Sequence, residues 1–207
     1  YGKADSLISK EKLEDIRYNI NLNIGDTYNR LNVSDSAYLF FNKSLQIATA
    51  ADNHENMGIS MTGLGHSYLK LGSYDLAKQN YQSALAYLQE VNNDEIYSEA
   101  ALGLANLYKQ LKKADSAEYY AHLSLETARR GGFNSAELQA TDFLAVHYQS
   151  QRRTDSAFAY ISFLKSLNDS VNSKTRIREA QIITTNEQFR QAEIEESRKQ
   201  AEKKRAQ

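Results

Sequence analysis

The sequence predicts an all-α fold: a right-handed α-solenoid of about four helix pairs on a 40-residue period, followed by a C-terminal capping helix. Three observations carry this. First, the 207 residues contain no proline, where average usage near 5% would supply roughly ten. Proline removes a backbone donor and clashes with the preceding turn, so its absence permits long unbroken helices. All-β folds, which need many Gly/Pro-marked turns, are disfavoured. Second, Ile24-Gly25-x-x-Tyr28 recurs as Leu64-Gly65-x-x-Tyr68, Leu104-Ala105-x-x-Tyr108 and Leu144-Ala145-x-x-Tyr148, each 40 residues on. Third, Asp35-Ser36-Ala37 recurs in the same register as Asp75-Leu76-Ala77, Asp115-Ser116-Ala117 and Asp155-Ser156-Ala157. Two independent markers keeping one period without an insertion define a repeat array.

Each element then follows from the residues. Helices are expected over about 11–31, 34–51, 54–71, 74–91, 94–111, 114–130, 134–151 and 154–168. Each would be roughly 27 Å long at ~1.5 Å per residue. Gly25, Gly65, Ala105 and Ala145 mark where a partner helix must come close, and Ala37, Ala77, Ala117 and Ala157 do the same on that partner. The tyrosine three residues after each Gly/Ala stays on the same face and is expected to fill the volume left there. The aspartates at 35, 75, 115 and 155 belong in the first turn of each second helix, where a carboxylate complements the helix dipole. Polar stretches at 51–54, 91–94, 131–134 and 169–172 separate the units, and shorter turns fall at 71–73 and 111–113. Gly131-Gly132 reads as a helix C-cap.

The array is thus expected over 14–172, in units of about 14–52, 53–92, 93–132 and 133–172. Residues 1–13 are expected to be the end of a truncated preceding repeat or a leader. The chain starts at Tyr1 without an initiator methionine, so it is expected to be a fragment. Over 173–207, Ile177, Ala180, Ile182, Ile183 and Phe189 form an apolar stripe suited to a capping helix, which solenoids need at an exposed end. Beyond 190 the chain is almost wholly polar and reads as a charged linker helix.

At these positions the chain resembles the tetratricopeptide repeat (TPR) family. The family's small-residue, tyrosine, alanine and aromatic positions are met by Gly25, Tyr28, Ala37 and Phe41, then by Gly65, Tyr68, Ala77 and Tyr81 with Ala84. The third unit offers Ala105, Tyr108, Ala117 and Ala121, and the fourth Ala145, Tyr148, Ala157 and Ile161. The period is longer than the family's usual 34 residues. The proline that often closes a unit is replaced by Thr49, Gln89, Arg129 and Asp169. The resemblance implies a non-catalytic module that binds a protein or peptide. The long period and charged tail resemble the sensor portions of bacterial two-component-type signalling regulators, with a possible membrane anchor downstream of residue 207. That reading implies the periplasmic side of a membrane-anchored regulator. The cytoplasm is the alternative, since positive flanks favour it. A free-standing scaffold for multiprotein assembly is the alternative function.

Charge and composition narrow the chemistry. The net charge is −1, from 25 basic and 26 acidic residues, without the basic surplus of a nucleic-acid-binding domain. Zero cysteine excludes disulfides, thiol catalysis and iron–sulfur ligation. His54 falls in a linker, while His66, His122 and His147 fall on three helices with no i, i+4 histidine pair. No enzyme activity, metal or cofactor is expected. In a TPR array the first helices line the concave side. That places Asp26, Asn29, Arg30, His66, Lys70, Asn106, Lys109, Gln110 and Gln149 as candidate ligand-binding residues. Leu22, Asp26, Leu102 and Asp142 stand where the family's carboxylate-clamp subgroup would carry Lys, Asn or Arg, which disfavours a chaperone-type peptide C-terminus as ligand.

Overall fold

The computed structural model describes the backbone of residues 2–205, with side chains described from 12 to 175 and at scattered positions from 177 to 190. Helix fills it, and no strand occurs among the described residues. The elements are α1 (Gly2–Arg30), α2 (Ser34–Ala50), α3 (His54–Lys70), α4 (Tyr74–Glu90), α5 (Asp94–Gln110), α6 (Ala114–Gly131), α7 (Asn134–Ser150) and α8 (Thr154–Arg205). Two compact units result, Tyr1–Ile161 and Ser162–Gln207. The first is the repeat array. The second consists of the rest of α8.

The array runs on a half-period of 20 residues. Helices from α2 to α8 begin at 34, 54, 74, 94, 114, 134 and 154. Before each start, one residue adopts the left-handed conformation: Asn32, Asp52, Gly72, Asn92, Lys112, Gly132 and Arg152, with φ between 51° and 74°. Each turn closes with the same pair of bonds, as where Asn32 N–H donates to Asn29 O (3.1 Å) and Val33 N–H to Tyr28 O (2.9 Å). This is a Schellman closure, which satisfies orphan carbonyls of the finished helix. The turn needs a left-handed residue and two free N–H donors, so proline has no place in it. Asn53 and Asn93 then cap the next helices by accepting from Asn56 N–H (2.9 Å) and Ile96 N–H (3.1 Å).

Lys112 and Arg152 hold φ of 57° and 58° with Cβ atoms that make this region costly. Replacing either with Gly is therefore expected to stabilise the array by about 0.5–1 kcal/mol, the left-handed relief less glycine's entropy. Urea denaturation of Lys112→Gly and Arg152→Gly checks this; a lower midpoint for both would contradict it.

Packing explains the small residues. α1, α3, α5 and α7 touch in succession, while among the described residues α2, α4 and α6 each contact only the helices before and after them. The first helices thus form the tight inner layer. Phe41 of α2 is fully buried between two glycines: a Cβ would fall 2.8 Å from its ring at Gly25 and 2.5 Å at Gly63. Tyr81 of α4 lies the same way between Gly65 and Gly103, each of whose Cβ atoms would come within 2.5 Å of its ring. The volume beside Gly25, Gly63, Gly65 and Gly103 is therefore filled by an aromatic from the second helix. The tyrosines at 28, 68, 108 and 148, expected in that place, instead meet other rings: Tyr28 stacks on Phe40 (5.7 Å), Tyr68 meets Tyr38 (5.3 Å), Tyr108 stacks on Tyr120 (5.4 Å) and Tyr148 on Tyr160 (5.3 Å). The side chain three residues on leans over the preceding turn, and the arriving aromatic already occupies the gap.

Both ends differ from the sequence reading. α1 is one helix from Gly2, so no turn separates residues 2–13 from the first unit. α8 is one helix from Thr154 to Arg205. The turn expected at 169–172 is absent, and the helix expected to start at 173 continues the one before it. In the stripe proposed for capping, Ile177 is 56% exposed; the side chains of Ala180, Ile182, Ile183 and Phe189 lie outside the described residues. No described helix is long and apolar enough to cross a membrane.

Candidate functional site

The inner layer builds the site. Three adjoining cavities of about 200, 320 and 270 Å³ follow one another along it. The first is walled by Asp26, Asn29, Arg30, Thr62, His66 and Glu99 over a floor that includes Phe41. The second shares Asn29, His66 and Glu99 and adds Lys70, Leu102, Asn106 and Gln139. The third keeps Leu102, Asn106 and Gln139 and adds Lys109, Asp142, Phe143 and Val146. Shared walls make these one groove across α1, α3, α5 and α7, because residues spaced three and four apart on each helix share a face.

A relay runs from the core to the groove. Tyr81 Oη lies 2.7 Å from His66 Nδ1, and His66 Nε2 lies 3.0 Å from Glu99 Oε1. Burial pushes the Tyr81 hydroxyl well above its usual range, so it stays protonated at this contact. His66 then donates from Nε2 to Glu99. The walls around Glu99 withdraw water, which alone would raise its carboxyl; the His66 hydrogen bond and the His66 and Arg30 charges outweigh this and hold it below the ordinary value. Asp26 faces the opposite balance. Desolvation, with the Glu99 charge added, raises its carboxyl against the opposing pull of Arg30 and His66. Asn29 Oδ1 is buried beside it with no hydrogen-bond partner.

The two carboxylates therefore link to stability with opposite signs. A depressed carboxyl stabilises the fold above its unfolded pKa, and that gain is lost as pH falls through the folded value. A raised one weakens the fold once ionised. Glu99→Gln is expected to lower the thermal midpoint at neutral pH and Asp26→Asn to raise it. Both differences should vanish in acid below the carboxylate range. Thermal melts of the two variants at pH 7 and over a falling acid series check this; shifts of equal sign at pH 7 would contradict it.

Of the residues marked in the sequence, Asp26, Asn29, Arg30, His66, Lys70, Asn106 and Lys109 line the groove. Lys70 is engaged there: its Nζ donates to Asn29 O (2.6 Å) and Asn32 Oδ1 (3.1 Å), closing the C-terminal end of α1. Gln110 and Gln149 stand exposed near the ends of α5 and α7 and do not line these cavities, which end one turn earlier on α7, at Val146. The sequence reading left out Glu99, Gln139, Phe143 and Val146. Glu99 and Gln139 are 40 apart and take the position of Ile59, so periodicity could have found them.

The remaining histidines are structural. Tyr148 Oη donates to Glu118 Oε1 (2.8 Å) and lies 2.9 Å from His122 Nε2. Arg153 donates to Glu118 Oε2 (2.8 Å), with its guanidinium 4.4 Å from the Tyr148 ring centre. His147 is buried, and desolvation lowers its pKa against the pull of Glu118. His54 lies 3.0 Å from Glu90 and joins α3 to α4. Among the described residues, no three His, Asp or Glu side chains converge to hold a metal.

Comparison with known proteins accords with this geometry. Residues 17–90 match the sequence profile of the tetratricopeptide repeat. By sequence, no curated protein matches. Among solved structures, BtubC (BKLC) from P. vanneervenii is similar at 18% identity and a TM-score of 0.65, covering 77% of this chain and 66% of that one. Apo RapI is similar at 15% identity and a TM-score of 0.67, covering 81% and 63%. A Rap protein complexed with competence and sporulation factor is similar at 13% identity and a TM-score of 0.70, covering 74% and 43%. The chain thus spans less than two thirds of each of these three proteins. Residues 17–90 thus match the tetratricopeptide repeat, and the array that includes them has the fold of a tetratricopeptide-type helical solenoid.

Proposed function

We propose that the array is a non-catalytic protein- or peptide-binding module whose ligand lies along the inner groove. The observation that carries this reading is the continuous groove with shared walls, polar at every step yet backed by Leu102, Phe143 and Val146. A concave surface with a few fixed polar groups over apolar patches suits a bound chain segment. Glu99, held ionised, and Asp26, which lacks full compensation, favour a ligand with a cationic side chain at the α1–α3–α5 end. The likeness to a Rap protein complexed with competence and sporulation factor is a likeness of fold, and it makes an extended peptide the first ligand class to test.

Selection from a random peptide display library tests it. Enriched peptides should carry Lys or Arg and lose binding to Asn106→Ala and Glu99→Gln while still binding Lys43→Ala, on α2. Peptides that bind all three variants equally would refute a ligand in the groove.

We further infer that the module is the interaction or sensor portion of a larger bacterial signalling regulator of the two-component type. The long charged α8 supports this, as the element that would carry a change onward. The full reading frame tests it: an adjoining output domain supports the regulator, and a gene encoding the array alone favours a free-standing scaffold.

A further inference from the structure

The seven turns of the array fall 20 residues apart, at Asn32, Asp52, Gly72, Asn92, Lys112, Gly132 and Arg152. The next place in that series is Asn172, inside α8. Its sequence is that of a turn: Val171-Asn172-Ser173 follows the pattern of Leu31-Asn32-Val33 and Val91-Asn92-Asn93, with Ser173 where Ser73 stands. Asparagine is among the few side chains that tolerate the left-handed conformation. Asn168, Asp169, Ser170, Asn172 and Ser173 are all exposed and all weak helix formers whose side chains compete for backbone groups. Neither propensity nor burial of these side chains holds the helix straight here.

Two apolar residues on either side stand uncovered. Ile161 is 48% exposed, whereas Phe41, Tyr81 and Ala121, at the same place in the other units, are fully buried. In those units the first helix of the next pair provides the cover, as Gly63 does for Phe41 and Gly103 for Tyr81. Ile177 is 56% exposed, whereas Met57, at the same place in α3, is 8% exposed. A turn at 172 would bring the segment carrying Ile177 antiparallel to the start of α8 and supply the missing first helix.

We propose that residues 171–173 are a latent eighth turn. α8 exchanges between the continuous helix and a hairpin in which 174–190 folds back along 154–170. Closing buries Ile161 and Ile177; opening extends the helix. The occupant of the uncovered α8 face is therefore the chain itself.

These 207 residues contain no cysteine, so Ser162→Cys/Gln188→Cys takes two spin labels cleanly. In the straight helix these positions are about 39 Å apart, at ~1.5 Å per residue. In the hairpin they take the places of His122 and Tyr148, whose side chains meet at 2.9 Å, so the labels approach the helix spacing of about 10 Å. Pulsed and continuous-wave spin resonance should find both populations. Asn172→Gly should raise the short-to-long ratio about fivefold, and Asn172→Ala should lower it about threefold. Only the long distance in all three chains would overturn the proposal. A short distance insensitive to residue 172 would also overturn it, as would one that disappears on dilution with unlabelled chain, which would assign the contact to a second copy.

Discussion

Tyr81→Ala combined with Gly103→Phe is expected to recover much of the stability that either change removes alone. Tyr81 is fully buried, so truncation should cost about 3–5 kcal/mol in transfer and cavity terms. The upper end is expected, because glycines flank the ring on both sides and offer no side chain to relax into the void. Gly103→Phe alone should be at least as damaging, since even a Cβ there would come within 2.5 Å of Tyr81 Cζ. The array already contains the exchanged arrangement. One unit on, Ala121 stands at the Tyr81 position and Phe143 at the Gly103 position, and both belong to the same core cluster. A ring supplied from the next unit's first helix is therefore expected to take the space of a ring supplied from the second helix. Residues that share one cavity couple strongly. A coupling of at least ~2 kcal/mol is expected in a urea double-mutant cycle, and additive losses would refute shared occupancy. The Tyr81 hydroxyl that serves His66 is lost in the double variant, so groove binding should not recover with stability.

Phe41→Ala should detach one end of the array without unfolding the rest. The ring packs against Gly25 and Gly63, and its cluster also holds Ala37 and Leu64 with Leu22, Tyr28 and Tyr68 packed against it. The expected loss is again about 3–5 kcal/mol. Stability in a repeat array is nearly a sum of local and nearest-neighbour terms, so the damage should stay at the first interface. Hydrogen exchange should show α1 and α2 losing protection while α5 to α7, in a separate cluster around Leu104, Leu107 and Leu144, keep theirs. Uniform loss across all helices would contradict this.

The sites of these two predictions show what was legible in the sequence. Gly25, Gly65 and the alanines that follow announced close approach, because only a small residue permits it. What arrives there was not legible: the tyrosine three positions on and the aromatic of the next helix were both candidates, and only the packed helices assign the place to Phe41 and Tyr81. The groove divides similarly. The resemblance to tetratricopeptide arrays, carried along the 40-residue period, pointed to Asp26, His66 and Asn106, which line the cavities. Glu99 was missed because Ile59 occupies its place one unit earlier, so no residue type recurs there. The role of Lys70 was hidden for another reason: its partners, Asn29 and Asn32, lie 41 and 38 residues away.

The sequence by itself determined the helical class, the 40-residue period and the turns from 32 to 152. Each depends on local spacing, on residue size at fixed intervals and on backbone freedom, which a linear pattern records. The tertiary structure decided which ring fills each gap, that Tyr81, His66 and Glu99 form one line from core to groove, and that α8 runs straight through Asn172. Those outcomes turn on competition between side chains from different helices for the same volume, and on whether a helix finds a partner to turn back against.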